Sequence, residues 1–118
     1  MPAGCMYAPQ AYIDKHPQAI QAIANAIVRA NKWIQQAGAS DIVKAVPESY
    51  LLGDRAVYID AFLASKGALS PDGLLPEAGP ATALHALASI DPKIGEAKID
   101  LAATYTNDFV KKANARKR

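Results

Sequence analysis

The side chains in this sequence that could carry out chemistry are few and lie far apart along the chain. Cys5 is the only cysteine, and His16 and His85 are the only histidines. A nucleophilic cysteine requires a base beside it in space. Cys5 stands in an apolar run, so we expect a small buried hydrophobic residue there. His85 lies between Leu84 and Leu87 and is predicted to be a helix-flank or a packed histidine, not a catalytic one.

No local pattern of an enzyme is present. The eleven carboxylates are scattered, no glycine-rich loop precedes a helix as in phosphate-binding motifs, and no serine stands in a nucleophile elbow. The two histidines and one cysteine do not provide the four ligands of a structural zinc site. We therefore predict a protein that is not an enzyme and holds no cofactor and no metal.

The composition predicts a mainly helical chain with a thin core. Among 118 residues, 25 are alanine, which is the best intrinsic helix former, and 51% are hydrophobic. A buried alanine removes little apolar surface from water, so the chain is expected to depend on neighbours for part of its burial. The length suits one unit, residues 1–118, as a single domain or a fragment.

The basic residues cluster at one end of the sequence. Five of the last eight residues are Lys or Arg: Lys111, Lys112, Arg116, Lys117 and Arg118. Without them, the formal charge of +2 becomes −3 over residues 1–110. A nucleic-acid-binding protein is expected to carry its bases on a folded face with aromatic residues nearby. The pattern therefore predicts no nucleic-acid partner and a solvated basic helix end.

Apolar residues at three- and four-residue spacing, with prolines and caps, predict a series of helices. The longest begins at Pro17 and ends at a left-handed Gly38. The others are a short helix over 9–15, one over 41–45 capped by Ser40, one over 55–66 capped by Asp54, one over 80–90 opened by Pro80, and a last one around Phe109 and Val110 capped by Thr104 or Thr106.

Two segments between helices have distinct signals. Ser70-Pro71-Asp72-Gly73 predicts a turn, with proline and glycine where a type I turn favours them. Residues 3–8 are apolar enough for a strand, yet no second strand of comparable quality follows. Met1 to Met6 lacks the basic and apolar regions of a secretory signal.

The order of these segments resembles one known family. The run from Tyr7 to Ile20, YAPQAYIDKHPQAI, is similar to the strand end, short helix and long-helix start of substrate-binding proteins of ABC transporters, in the nitrate, sulfonate, taurine and thiamine-precursor branch. Small residues and a late tryptophan in the long helix, the SPDG turn, and the segments KIDL (98–101) and YTNDFV (105–110) follow in the same order.

The resemblance implies the helical C-terminal part of a type II periplasmic-binding-protein-like α/β lobe, with a short N-terminal strand. Such a chain is a non-catalytic part of an ABC importer's solute-binding component and supplies one side of a ligand cleft between two lobes. The complete protein is periplasmic and has two partners, a small-molecule solute and the membrane permease. At the junction of strand and helix, Tyr7 and Gln10, with Cys5 behind them, are the implied ligand contacts.

A second interpretation of the sequence does not depend on the family resemblance. An independent helical domain with a thin alanine-rich core would leave apolar surface open and self-associate as a homo-oligomer, without binding small molecules. An enzyme that uses Cys5 or His85 is the weakest of the three interpretations, because no constellation of catalytic residues accompanies either side chain.

Overall fold

The computed structural model describes residues 4–51 and 53–116, which are mainly helical and contain no strand. The α-helices in this part of the chain are α1 (Gln10–Lys15), α2 (Pro17–Gln36), α3 (Ala39–Ala45), α4 (Arg55–Ser65), α5 (Ala78–Ala88), α6 (Pro92–Glu96) and α7 (Asp108–Ala115). Short 3₁₀ helices cover Glu48–Tyr50, Lys66–Ala68 and Leu101–Ala103. Ala3 of the predicted strand and Lys117 and Arg118 of the basic end lie outside the described residues.

The predicted cap of α4 is confirmed, and that of α7 is not. The Asp54 carboxylate accepts hydrogen bonds from the backbone N–H groups of Ala56 (3.0 Å) and Val57 (3.1 Å), which have no partner within α4. At α7 the predicted cap, Thr104 or Thr106, is wrong, because Asn107 occupies the N-cap position. The Thr106 hydroxyl, one residue earlier, accepts from the N–H of Asp108 at 3.1 Å.

The residues predicted to end α2 and to cap α3 are wrong. Gly38 is extended (φ −97°, ψ −179°) instead of left-handed, and it precedes α3 as its N-cap. Ser40 lies inside α3, so it is not the cap. The carboxylate of Asp41 instead accepts from the Gly38 N–H at 2.9 Å. The Lys66 ammonium donates to the Ala37 carbonyl at 3.2 Å, a favourable place for a cation at the end of α2.

Helix α2 is the centre of the fold. Its residues Ile20, Ala24 and Val28 are buried, each separated by four positions and therefore on one side of the helix. α7 packs along this side and contributes the buried Ala113. The other buried apolar residues of the described chain are Ala37, Ile42 and Leu51.

The segment 70–73, predicted as a turn, is a bend in the structure and lies between α2 and α7. It is held by side chains: the Ser70 hydroxyl accepts from the Gly73 N–H at 2.9 Å. Gly73 has φ +79°, a conformation that costs other residues free energy. A Cβ atom built on Gly73 would lie 3.2 Å from Val28 Cγ2 and 3.4 Å from Val110 Cγ1. Both the backbone conformation and the space at this position therefore favour glycine.

Side-chain amides join the same three elements. The Asn114 amide donates to the Asp72 carbonyl at 2.9 Å, and the Gln21 amide of α2 donates to the Phe109 carbonyl of α7 at 2.8 Å. Both bonds are partly buried and join residues distant in sequence, so they fix the position of α7 on α2 and on the bend.

Residues 76–106 form a helical segment, here called the excursion, whose two ends are joined by hydrogen bonds between Leu75 and Asn107. The Asn107 amide donates to the Leu75 carbonyl (2.9 Å), and its Oδ1 accepts from the Leu75 N–H (3.0 Å). Beyond this pair, α5 packs chiefly on α6, where Gly95 approaches Ala88. The excursion exposes several large apolar side chains, among them Leu87 (52%) and Ile90 (82%).

The chain exposes more surface than a compact monomer of its size. Its radius of gyration is 17.4 Å, whereas a compact domain of this length is expected near about 13.5 Å. Its accessible surface is 8967 Å², which exceeds by about 2,800 Å² the area expected from its mass. The thin alanine-rich core predicted from composition explains this result, because few large side chains are fully covered.

The predicted N-terminal strand does not form in the described residues. Residues 4–9 are neither helix nor strand, and the rest of the described chain contains no strand to pair with them. A strand needs hydrogen-bonding partners for its backbone, and an apolar run without them stays irregular. Met6 and Tyr7 accordingly remain exposed.

The Gly73→Ala variant should be less stable than the Gly53→Ala variant. Both glycines have positive φ, but only Gly73 has side chains close to the added methyl group. The strained φ costs roughly 1–2 kcal/mol in each variant. Overpacking at Gly73 should add about 1 kcal/mol. Urea unfolding at constant slope measures the difference, and equal losses of stability would contradict the wedge.

Candidate functional site

The three residues predicted to contact a ligand lie on the surface and form no enclosed site. Tyr7 is 91% exposed and Cys5 is exposed. Gln10 is the first residue of α1, and its amide donates to the Asp14 carboxylate one turn later at 2.8 Å. The three residues lie close together along the chain, but neither of the two hollows described below is lined by them.

The predicted burial of Cys5 is wrong, whereas His85 fits the helix-flank alternative of its prediction. The Cys5 thiol is exposed because its segment has no partner surface to lie against. Among the described helices only α6 packs extensively on α5, and His85 lies exposed on the flank of α5. Apolar neighbours in sequence thus predicted burial that the tertiary structure of this chain does not provide.

An open hollow lies where α1 meets α2, and the sequence analysis did not identify it. It measures about 560 Å³ and is lined by residues 14–19. The rings of Tyr12 and His16 pack beside it with centroids 4.6 Å apart and planes inclined by 44°. The break that Pro17 imposes between the two helices was the signal that could have located it.

Acidic, basic and aromatic side chains line this hollow, and all of them lie on one side of it. Asp14, Lys15 and His16 supply an acid, a base and an imidazole, and the first turn of α2 follows them. Ligand sites bury most of a small molecule, so a hollow with one wall needs a second surface to hold a ligand. The arrangement is therefore suited to one edge of a site.

A smaller hollow of about 240 Å³ lies on α4, lined by Tyr58, Ala61, Phe62 and Ser65. The Ser65 hydroxyl donates to the Ala61 carbonyl at 2.8 Å in the same helix, which uses its only hydroxyl hydrogen. Apart from the Tyr58 phenol, the hollow therefore offers mainly apolar contact.

Neither a metal site nor a membrane-spanning helix is found among the described residues. Within residues 4–51 and 53–116, no three His, Cys, Asp or Glu side chains come together as a metal site would require. No described helix has both the length and the apolar character needed to span a bilayer.

One solved structure from Bordetella bronchiseptica is similar to this chain. The two sequences are 59% identical, and the structures superpose with a TM-score of 0.91. The match covers 97% of this chain and 36% of the Bordetella chain, so this chain spans about a third of that protein's length. No protein-family model matches the sequence, and no curated protein matches it.

The Bordetella structure bears on fold, since its name states no activity, substrate or partner. At this identity and TM-score, the helices described above are arranged in this chain as they are in a stretch of a longer protein.

The thiol of Cys5 should react with a thiol reagent nearly as fast in the native chain as in denaturant, because it is exposed. A matched control is Ala37→Cys in a Cys5→Ser background, which places the only thiol at a buried position. We expect that thiol to react at least tenfold more slowly in the native chain. Protection of Cys5 comparable to that control would contradict the exposed N-terminal segment.

Proposed function

We propose that this chain is the C-terminal portion of the solute-binding component of an ABC importer, with no catalytic activity. In this proposal it forms one side of a two-lobe ligand cleft, and the complete protein works in the periplasm and delivers its solute to a membrane permease. The order of motifs from Tyr7 to Val110 supports the proposal. The SPDG segment, one of those motifs, also has a demanding structural role as the wedge between α2 and α7.

The observation that carries the proposal is the large exposed surface of the chain. A radius of gyration of 17.4 Å and an area of 8967 Å² leave much apolar surface uncovered. Such surface suits a part of a larger body that packs against further polypeptide. The similar Bordetella protein, in which a stretch like this one is about a third of the chain, supports that interpretation.

The N-terminal segment fits the α/β lobe of the proposal. Residues 4–8 are exposed or half-buried and lie outside regular structure. Neighbouring strands from another part of a complete lobe would supply the hydrogen bonds that this segment lacks in the chain by itself. We propose that residues 3–8 become a strand in that setting.

The cleft edge then lies at the end of this strand. Tyr7 and Gln10 stand there with Cys5 behind them, and the hollow at residues 14–19 follows directly in the chain. Helix N-termini favour anions, and α2 begins in that hollow. A second lobe would close over these groups and provide the missing wall.

The proposal is tested with a chimera in which these 118 residues replace the matching stretch of the Bordetella protein. Calorimetry with nitrate, taurine and an aminopyrimidine should detect saturable binding of one probe. Tyr7→Ala should weaken that binding at least tenfold, because an aromatic side chain in a cleft contributes to contact with the ligand.

Tyr50→Ala is the matched control, since Tyr50 is also an exposed tyrosine (67%) but lies far along the chain from the proposed edge. Its binding should equal that of the unsubstituted chimera. A folded chimera that binds none of the three probes, or that binds equally well after Tyr7→Ala, would contradict the proposal.

A further inference from the structure

The excursion adds no buried side chain to the interior of this chain. Among residues 76–106, all within the described part of the structure, the only buried residue is Gly79, which has no side chain. Every buried apolar side chain of the described residues lies outside the excursion. Ordering a segment costs conformational entropy, and a segment that buries no side chain of its own recovers little of that cost by itself. Contact with another surface would supply the missing burial.

Helix α5 of the excursion has the composition of a helix in a protein interior. Its 11 residues, AGPATALHALA, contain no Asp, Glu, Lys or Arg. Its two polar side chains are Thr82 and His85, and the Thr82 hydroxyl donates to the Ala78 carbonyl of the same helix at 2.9 Å. A helix that is apolar on most sides is typical of a position surrounded by other polypeptide. Among the described helices, only α6 packs extensively on α5.

The two large apolar side chains at the end of α5 are exposed. At about 100° per residue, Leu87 lies on the side of α5 opposite Thr82 and His85, and it is 52% exposed. Ile90 follows in the turn after the helix, where its N–H donates to the Leu87 carbonyl at 3.0 Å, and it is 82% exposed. We call Leu87 and Ile90 the α5 patch. Burial of this apolar area against another surface would be favourable.

We propose that the α5 patch docks onto further polypeptide of a longer protein. In a protein of the Bordetella type, this polypeptide is a part of the chain outside the stretch matched here. That stretch is 36% of the Bordetella chain, so nearly two thirds of that chain is available to cover the patch. The surface that covers it should be apolar and uncharged, because α5 has no charged side chain to pair with a charge buried against it.

Val57 of α4 provides a contrasting exposed apolar side chain. It is 64% exposed, but Asp60 lies three residues later and therefore beside it on the helix surface. A surface that covered Val57 would also take the Asp60 carboxylate out of water, which costs free energy unless a partner is provided. Val57 is therefore expected to stay in solvent, and it serves as the matched control.

This docking requires that the chain be part of a longer protein, which the proposed function requires as well, but it needs no solute and no permease. The two proposals fail separately. A chimera that binds no probe and covers the α5 patch leaves the docking standing. A chimera that binds a probe while the patch stays open leaves the function standing.

The test compares one thiol in the 118-residue chain and in the chimera with the Bordetella protein. In backgrounds that contain no other cysteine, Ile90→Cys should react with a thiol reagent at least tenfold more slowly in the chimera than in the chain. Val57→Cys should react at the same rate in both. Equal rates at position 90 would overturn the proposal, and so would equal slowing at positions 90 and 57.

A second variant tests the same contact without a reagent. Ile90→Ser should leave the melting temperature of the 118-residue chain unchanged and lower that of the chimera by about 5 °C or more. Val57→Ser should leave both unchanged. A chimera that tolerates Ile90→Ser as well as the chain does would contradict the docking. Protection of position 90 that appears in the chain alone and rises with its concentration would assign the patch to a second copy and overturn the proposal.

Discussion

The contact of α2 with α7 across Gly73 is the constraint on which the rest of this structure depends. A bend with φ +79° lies within van der Waals distance of Val28 on one helix and Val110 on the other. The amide bonds from Asn114 and Gln21 then hold α7 in this position. Segments separated by more than 40 residues thus meet at α2, and the remaining helices extend from this junction.

The same arrangement explains why so much of the molecule stays exposed. One side of α2 is covered by α7 and the bend, and the excursion closed by Asn107 and Leu75 packs chiefly on itself. Alanine supplies many interior positions and covers little area. The exposed apolar side chains of α2 and the irregular segment 4–8 are therefore both consequences of a shortage of covering structure.

Features that depend on local chemistry could be predicted from the sequence, and features that depend on distant partners could not. The run of α2 and the cap at Asp54 each follow from neighbouring residues, and the structure confirms them. The turn predicted at 70–73 is present as a bend held by the Ser70 hydroxyl. The left-handed helix end predicted at Gly38 is wrong, because the Asp41 carboxylate binds the Gly38 N–H and Gly38 becomes an N-cap. The predicted burial of Cys5 is wrong, because burial requires a surface from elsewhere in the fold. The hollow at 14–19 depends on how two helices meet, which periodicity does not specify.

Hydrogen exchange of backbone amides, followed residue by residue in the 118-residue chain, tests the central role of the α2–Gly73–α7 junction most directly. Amides with many buried contacts exchange only through larger openings of the structure. The account predicts the strongest protection in the middle of α2 and in the last turn of α7, and at least tenfold faster exchange in α5 and α6. Protection in α5 and α6 equal to that of α2 would contradict it.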